Sequence, residues 1–468
     1  MALAPVTPSL SRAELRGVFE KGTDATGAAG TGQAAGGARE LVGIEVETAA
    51  LDPGTGAAVP YEGPRGVRAL LEHLVAERPG AVPQYDCSAL VAVRLPEGGS
   101  VSLEHGGAVE YSSPPCSCVA ELAELTDRTL RGLAAAARRF GFALVPGAQY
   151  PFTGPAEVRW VPHSRTPLMR RHFESLGKRG AGGVQVMSLA LSTQVSLDYT
   201  SPEDLREKLR LLAAASTPAA ALFVNAPLEG GRPCGQLSRR MDYLSRTDPA
   251  RTSVIPMMLR EDVDAEMFID WALNLPMIHR AAPGGGRCAA PRVPFGTLLR
   301  QGFGDGSRPR FADWRSHLSQ IFSDVRLRET LELRAVDGPP FGALCAVPAF
   351  WTGLSYHPPS RSAAWELLRG IGPDEHRAAL RDIACRGLAA ELAGRPVREV
   401  AAELLRLSEA GLRARVAAGA ERQEAVDFLA PLHEIAESGV TFAQRTLDRL
   451  GEDPSTFPAR HIARHRIP

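Results

Sequence analysis

The chain has 468 residues, 44% hydrophobic and 23% charged, which allows one large domain or two to three ordinary ones around a substantial core. Lys plus Arg and Asp plus Glu both number 53, so the formal net charge is zero and nothing global points to nucleic acid or an anionic membrane surface as partner. No apolar run approaches a membrane span and the N-terminus lacks a basic-then-apolar leader, so the expectation is a cytoplasmic protein with no membrane partner.

Residues 1–38 read as a flexible N-terminal segment. Within it SRAELRGVFE (11–20) predicts a short helix capped by Ser11, and the Gly-, Ala- and Thr-rich stretch from Lys21 to Gly37 predicts a linker. A main α+β domain is expected over 39–372 and a helical region packed on it over 373–468. Alternation and flanking Gly or Pro predict strands over 41–48, 101–111, 141–149, 185–198, 220–225 and 328–335. Helical spacing predicts helices over 64–78 and 116–140, and over 201–216, which opens with Ser-Pro-Glu-Asp. The stretch from 373 to 450 reads as mostly helical, broken at Gly394-Arg395-Pro396, Gly419 and Gly439. With little strict β-α alternation, the fold class is α+β with a mainly antiparallel sheet.

Two acidic pairs stand in these strands. GIEVE (43–47) sets Glu45 and Glu47 two apart, and SLEHGGAVE (102–110) sets Glu104 and Glu110 six apart. Residues two apart in a strand share a face at roughly 6–7 Å, and the longer spacing keeps that parity if Gly106-Gly107 leaves the register unchanged. Ile44, Val46, Leu103 and Val109 then fill the opposite face. Four carboxylates on one face repel unless something positive lies among them. A hard divalent cation with oxygen ligands, Mg²⁺ arriving with a nucleotide, is one answer; a solvated acidic face is the other.

Ser192, Gln194 and Ser196 form a polar stripe in SLALSTQVSLD (188–198), facing either a ligand or solvent. Glu332 and Arg334 in TLELRAVDG (330–338) are an ion pair, or a metal-binding Glu beside an Arg that clamps phosphate or carboxylate. LSRRMDYLSRTDPARTS (237–253) carries Arg239, Arg240, Arg246 and Arg251 in a stretch too irregular for a clean helix, which suits an anionic substrate or is simply a basic loop. The seven cysteines are odd in number, and Cys116-x-Cys118 is too close for a zinc knuckle, so they read as reduced structural thiols. There is no H-E-x-x-H, G-x-S-x-G or phosphate-binding G-x-x-x-x-G-K-[ST] loop, and no G-x-G-x-x-G after a strand. A bound nucleotide would therefore be held by a sheet-borne metal site.

Taken in order, GIEVE, SLEHGGAVE, STQVSLD (192–198), FVNAPL (223–228), RTDPARTS (246–253), WALNLPM (271–277), DWRSHLSQIFSDVRLRETLELRAVDG (313–338) and CAVPAFWTGL (345–354) resemble the plant-type glutamate–cysteine ligase family. These are carboxylate–amine ligases of the glutamine synthetase superfamily, and the likeness runs from about Leu41 to Thr441. It implies a glutamine synthetase-like catalytic sheet and ATP and Mg²⁺ as cofactors. It also implies small-molecule substrates, glutamate and cysteine, joined through a γ-glutamyl phosphate. By matching position it implies Glu45, Glu47, Glu104, Glu110 and Glu332 as metal ligands and Gln194, Glu332 and Arg334 beside the nucleotide. Arg240, Arg251 and Arg334 would hold the glutamate α-carboxylate and the phosphates. The chain departs from the pattern at Arg246, at Ser196 where Asn is usual, at Ser253 where Gly is usual, and after Arg165 in RTPLM (165–169). Those departures touch the acceptor more than the phosphoryl-transfer core. A related ligase using glutamate with another amine, a guanidino phosphotransferase and a binding protein keeping only the fold are the alternatives. The 37 Pro and 46 Gly, with abundant Ala and Arg, suggest a GC-rich genome, which by analogy suits a member that feeds ergothioneine synthesis.

Overall fold

A computed structural model describes residues 10–20, 40–450 and 456–468; the linker expected over 21–37 lies outside the described residues. Its centre is a nine-stranded sheet of β1 (Val42–Leu51), β2 (Val82–Asp86), β3 (Ala89–Arg94), β4 (Ser100–Leu103), β5 (Val109–Ser112), β6 (Ala143–Pro146), β7 (Thr193–Leu197), β8 (Val325–Leu327) and β9 (Leu331–Leu333). The order is β8-β9-β7-β1-β5-β4-β3-β2, every pairing antiparallel. The ten-residue β1 is long enough to pair twice on one side: with β7 along Val42–Val46 and with β6 along Thr48–Leu51.

The helices that position the sheet are α1 (Arg12–Glu20), α2 (Val67–Glu77), α3 (Val119–Arg139), α4 (Thr166–Ser175), α5 (Gly183–Leu189), α6 (Pro202–Phe223), α7 (Arg239–Ser245), α8 (Ala346–Ser355), α9 (Pro373–Arg386) and α10 (Val397–Ala417). Local chemistry sets their ends. Ser201 Oγ accepts from Asp204 N–H at 3.1 Å ahead of Pro202 in α6, and Cys118 caps α3, which stops before Gly141 at φ +79°. α3 and α8 pack against β1, and α8 also covers β7, burying Val42, Ile44, Val46 and Val195. One apolar cluster runs from Leu15 to Ile467, taking in the helical region after residue 373.

Several expected elements are redrawn. The run 101–111 is the β4–β5 hairpin, and 328–335 contributes only β9, paired with β8. The run 185–198 divides into α5 and β7, and 220–225 is the end of the buried α6, which continues through Pro218. Short apolar runs carry no period of their own, and tertiary burial chose helix in both places. The hairpin β2–β3 had not been expected. The helix expected over 11–20 is α1, though within the segment expected to be flexible it is packed: Leu15, Val18 and Phe19 are buried, and Arg12 and Arg16 both pair with Glu266. The basic stretch 237–253, expected to be irregular, contains the short helix α7, capped by Ser238.

Candidate active site

The register of β1 builds the site. Glu47 lies opposite Glu110 on β5, and Glu110 opposite Ser102 on β4; Glu45 lies opposite Gln194 on β7. One strand further out, Ser196 lies between Gly43 and Glu332. Cross-strand partners share a face, so Glu45, Glu47, Glu110, Gln194 and Glu332 are on one side of the sheet. Glu104 joins them from the hairpin turn, its N–H donating to the Ala108 carbonyl at 2.9 Å. The expected parity of Glu104 and Glu110 therefore holds, through a hairpin rather than one continuous strand. Gly106 allows the turn to sit against α5, because a Cβ there would come 1.7 Å from the Ser188 carbonyl oxygen.

A cavity of about 360 Å³ opens over this face, walled by Met169 and Phe173 of α4, Val186 and Met187 of α5, and Leu244 of α7. Glu45, Glu47, Glu104, Glu110, Gln194, Arg240 and Arg334 all line it. Arg240 is fixed by the Arg334 carbonyl at 2.8 Å and by Asp337 at 3.4 Å. Arg334 donates to Gln194 and to Glu332, and Gln194 Nε2 donates to Ser192 Oγ at 2.9 Å and Glu47 at 3.3 Å.

Two of the expected residues stand apart from the cavity lining. Glu332 is buried, with Arg326 Nη2 2.6 Å from Oε1 and Nε 3.0 Å from Oε2, and with Arg334 on its other flank. Its oxygens are taken up by the Arg326 and Arg334 guanidinium groups. Arg251 is 1% exposed; it bonds Asp248 at 2.8 Å and the carbonyls of Pro276 and Gln320 at 2.8 and 3.4 Å. These bonds tie the 246–253 loop to its surroundings, and Arg251, expected on the substrate, lies outside the cavity lining. The cavity also holds residues the sequence reading did not select: His105, Arg165, His279, Asp324, Arg326 and Arg328. Arg326 could have been found by folding DVRLRETLEL into a hairpin, since it lies directly across from Glu332.

The acids do not behave alike. Burial, then the charge of Glu332, pushes Glu45 up to about 7; burial, then Glu104, pushes Glu47 up to about 8. Glu110 is raised well above the carboxylate range by burial and by Glu45, Glu104 and Glu47, and burial lifts Asp324 to about 6. Burial works against Glu332 too, but Arg326 and Arg334 outweigh it and hold that carboxylate at about 2. At Glu45, Glu47 and Asp324 burial thus outweighs the neighbouring arginines, while at Glu332 the arginines outweigh burial.

Among the described residues no three His, Cys, Asp or Glu side chains form a ready metal cage. The donor set on the cavity floor is all carboxylate oxygen, which suits a hard cation that keeps several waters and takes its remaining ligands from phosphates. Mg²⁺ fits these residues in that sense.

The sequence pattern of glutamate-cysteine ligase family 2 (GCS2) matches residues 41–464. The chain belongs to that family. This makes it an ATP-dependent glutamate–cysteine ligase that forms γ-glutamylcysteine from small-molecule substrates. Chloroplastic glutamate–cysteine ligase B of Oryza sativa subsp. japonica is 30% identical over 351 residues, covering 75% of this chain and 69% of the rice protein. The chloroplastic glutamate–cysteine ligase of Arabidopsis thaliana is 31% identical over 351 residues, covering 75% of this chain and 65% of its own length. The crystal structure of Francisella tularensis glutamate–cysteine ligase in complex with AMP has the same fold, with a TM-score of 0.56 at 12% identity over 91% of this chain and 88% of that one. Among the described residues no helix is long and apolar enough to cross a membrane.

Proposed function

We propose that ATP enters this ligase with Mg²⁺ against Glu45, Glu47, Glu104 and Glu110, and that Arg240 and Arg334 hold its phosphates and the glutamate γ-carboxylate in line. The observation that carries this reading is the meeting of those four acids with Arg240, Arg326, Arg328 and Arg334 in one cavity. A carboxylate approaching a triphosphate meets like-charge repulsion of about 1–4 kcal/mol per charge pair at 4 Å, depending on screening. Bound Mg²⁺ would neutralise phosphate charge at the acids. Arg240 and Arg334 are already braced by Asp337, Gln194 and Glu332, so they need little reorganisation to receive an anion. The γ-carboxylate then takes the terminal phosphoryl group and ADP leaves; the cysteine amine attacks the acyl carbon and phosphate leaves. Walls from α4, α5 and α7 would keep water from the acyl phosphate in between.

Incubation with glutamate, cysteine, ATP and Mg²⁺ should yield γ-glutamylcysteine, ADP and phosphate in equal amounts. ADP release stimulated by another amine and not by cysteine would overturn the acceptor assignment; phosphate transfer without phosphate release would favour a guanidino phosphotransferase. A cytoplasmic location fits the demand for ATP and a free thiol, and all seven cysteines are unpaired. Supply of γ-glutamylcysteine to ergothioneine synthesis is the further part of this reading, checked by loss of ergothioneine in cells lacking the protein.

A further inference from the structure

Away from the catalytic cavity, a second and smaller cavity lies under the helix α11 (Phe457–His465). Pro458 stands in the first turn of α11, and the helix packs against β6. Ile462 is fully buried with Leu51 of β1, Val145 of β6 and Tyr150, and just past the helix the Ile467 N–H donates to the Leu144 carbonyl at 2.9 Å. These anchors hold two histidines, His461 and His465, one helical turn apart. Their ring centroids are 4.5 Å from each other, and the Phe152 and Phe457 rings are both 5.5 Å from His461.

Both imidazoles line this cavity with Gln149, Asn225 and Thr446, and its volume of about 30 Å³ leaves room for an ion and a water. It shares no lining residue with the catalytic cavity, and none of its lining side chains is an acid, a lysine or an arginine. Gln149 is 5% exposed; its Nε2 donates to the Leu228 carbonyl at 3.5 Å, while its Oε1 is buried without a hydrogen-bond partner. Neither imidazole makes a hydrogen bond or ion pair among the described residues. Burial, then His465 and Arg449, holds His461 down at about 3; burial, then Arg449 and Arg464, holds His465 at about 4. Both rings are therefore neutral, and each keeps a nitrogen lone pair for a ligand.

We propose that His461, His465 and Gln149 form a second metal site, for one borderline divalent ion of the Zn²⁺ kind, which clasps α11 to the segment that follows β6. Histidines four residues apart share one helix face, the spacing by which a helix chelates zinc. The third donor is an amide oxygen rather than a Cys, Asp or Glu. Two imidazoles with no carboxylate suit Zn²⁺, Ni²⁺ or Cu²⁺ and not Mg²⁺, which requires hard oxygen ligands. The chemistry of this site is thus opposite to that of the all-carboxylate catalytic floor. A proton would bring charge here for a single bond. A divalent ion engages both rings and the bare Gln149 oxygen together, relieving the cost of leaving a buried acceptor unpaired.

The test titrates the full chain with Zn²⁺ against a chromophoric chelator, in excess Mg²⁺ and after alkylation of the exposed Cys87 and Cys385. The wild type should bind Zn²⁺, and deuterium exchange over residues 457–467 should slow when it does. His461→Phe keeps an aromatic ring against Phe152 and Phe457, so the helix stays packed. It should weaken binding by about 10- to 100-fold or more, since losing even an outer-sphere partner of a metal ligand costs that much, and exchange over 457–467 should no longer respond to Zn²⁺. Gln149→Glu should tighten binding, because a carboxylate replaces a neutral oxygen donor; a glutamine that only packs gives no such gain. The kcat/KM for ligation of glutamate and cysteine should be unchanged in His461→Phe, so the metal site and the ligase reading stand or fall separately. A wild type whose cavity takes water only, with no Zn²⁺ bound, would overturn the proposal. So would Zn²⁺ affinity that survives intact in His461→Phe, or a Gln149→Glu chain that binds no more tightly than the wild type.

Discussion

The two faces of β1 share one backbone and one hydrogen-bond register, yet their chemistry is opposite. Val42, Ile44 and Val46 are no more than 2% exposed and lie under α3 and α8. Gly43, Glu45 and Glu47 look into the cavity side, where burial outweighs the nearby arginines and drives both acids toward protonation. The back face supplies stability through area removed from water; the front face costs stability until a cation and anions arrive. One strand thus separates folding from function by single-residue alternation, and the same division recurs on β5, where Val109 and Tyr111 are buried and Glu110 lines the cavity.

The largest expected effect belongs to the front face. Glu47→Gln should lower kcat/KM by about 10³-fold or more, roughly 4 kcal/mol of transition-state stabilisation, while the thermal midpoint without Mg²⁺ stays level or rises. A midpoint that falls instead would make the acid structural and erase the contrast. Arg251→Met tests a residue expected at the site whose bonds in the structure are to Asp248, Pro276 and Gln320. Removing the guanidinium from buried Asp248, which keeps only His172 at 2.8 Å, should cost about 3–5 kcal/mol in chemical denaturation, and a tenfold rise in glutamate KM for the folded enzyme would place Arg251 on the substrate. On the back face, Ile44→Ala should cost about 2–5 kcal/mol of stability with the kinetic constants little changed.

The contrast also has a pH signature, smaller in size. Glu45 and Glu47 have folded values near 7 and 8 against 4.5 ordinarily, so their contribution to stability is full below about pH 4.5 and is lost as pH rises through 7 and 8. His317, fully buried against Phe295 and held near 3 by desolvation, runs the other way: its contribution is present above pH 6.5 and is lost as pH falls through about 3. Melting without Mg²⁺ should therefore show an alkaline decline that Mg·ATP removes and an acid decline that it does not. An alkaline slope indifferent to Mg·ATP would separate the acids from the cation. The smallest effect is expected at Ser253, which holds φ 61° in the left-handed region where Gly is unstrained. Ser253→Gly should stabilise the chain by up to about 1 kcal/mol in denaturant midpoints, the hydrogen bond from its hydroxyl to Asp324 offsetting part of the gain.

Much of the acid face was legible before the fold was known. The even spacing of Glu45, Glu47 and Gln194 within β-branched and leucine-rich runs fixes their parity, and the hairpin kept it for Glu104 and Glu110. The arginines were harder. Arg240 and Arg251 sit eleven residues apart in one basic stretch, yet one reaches the cavity and the other is enclosed by Asp248, Pro276 and Gln320. A long side chain can serve either side of its own backbone, so sequence position leaves its target open. The run QVMSL (185–189) was expected as strand because a short apolar stretch carries no period that distinguishes helix from strand.

By itself the sequence determined the α+β class, the face on which four carboxylates gather, and, through an ordered set of segments, the family. Those features rest on alternation along a strand and on residue identity, which are local. Only the tertiary structure decided that Glu332 is enclosed by Arg326 and Arg334, that Arg251 is enclosed by Asp248, Pro276 and Gln320, and that Arg165 and His279 line the same cavity. Each of those outcomes depends on strands and loops distant in the chain being brought within hydrogen-bond reach, a distance set by the packing of α4, α5 and α7 over the sheet and by no spacing within any one segment.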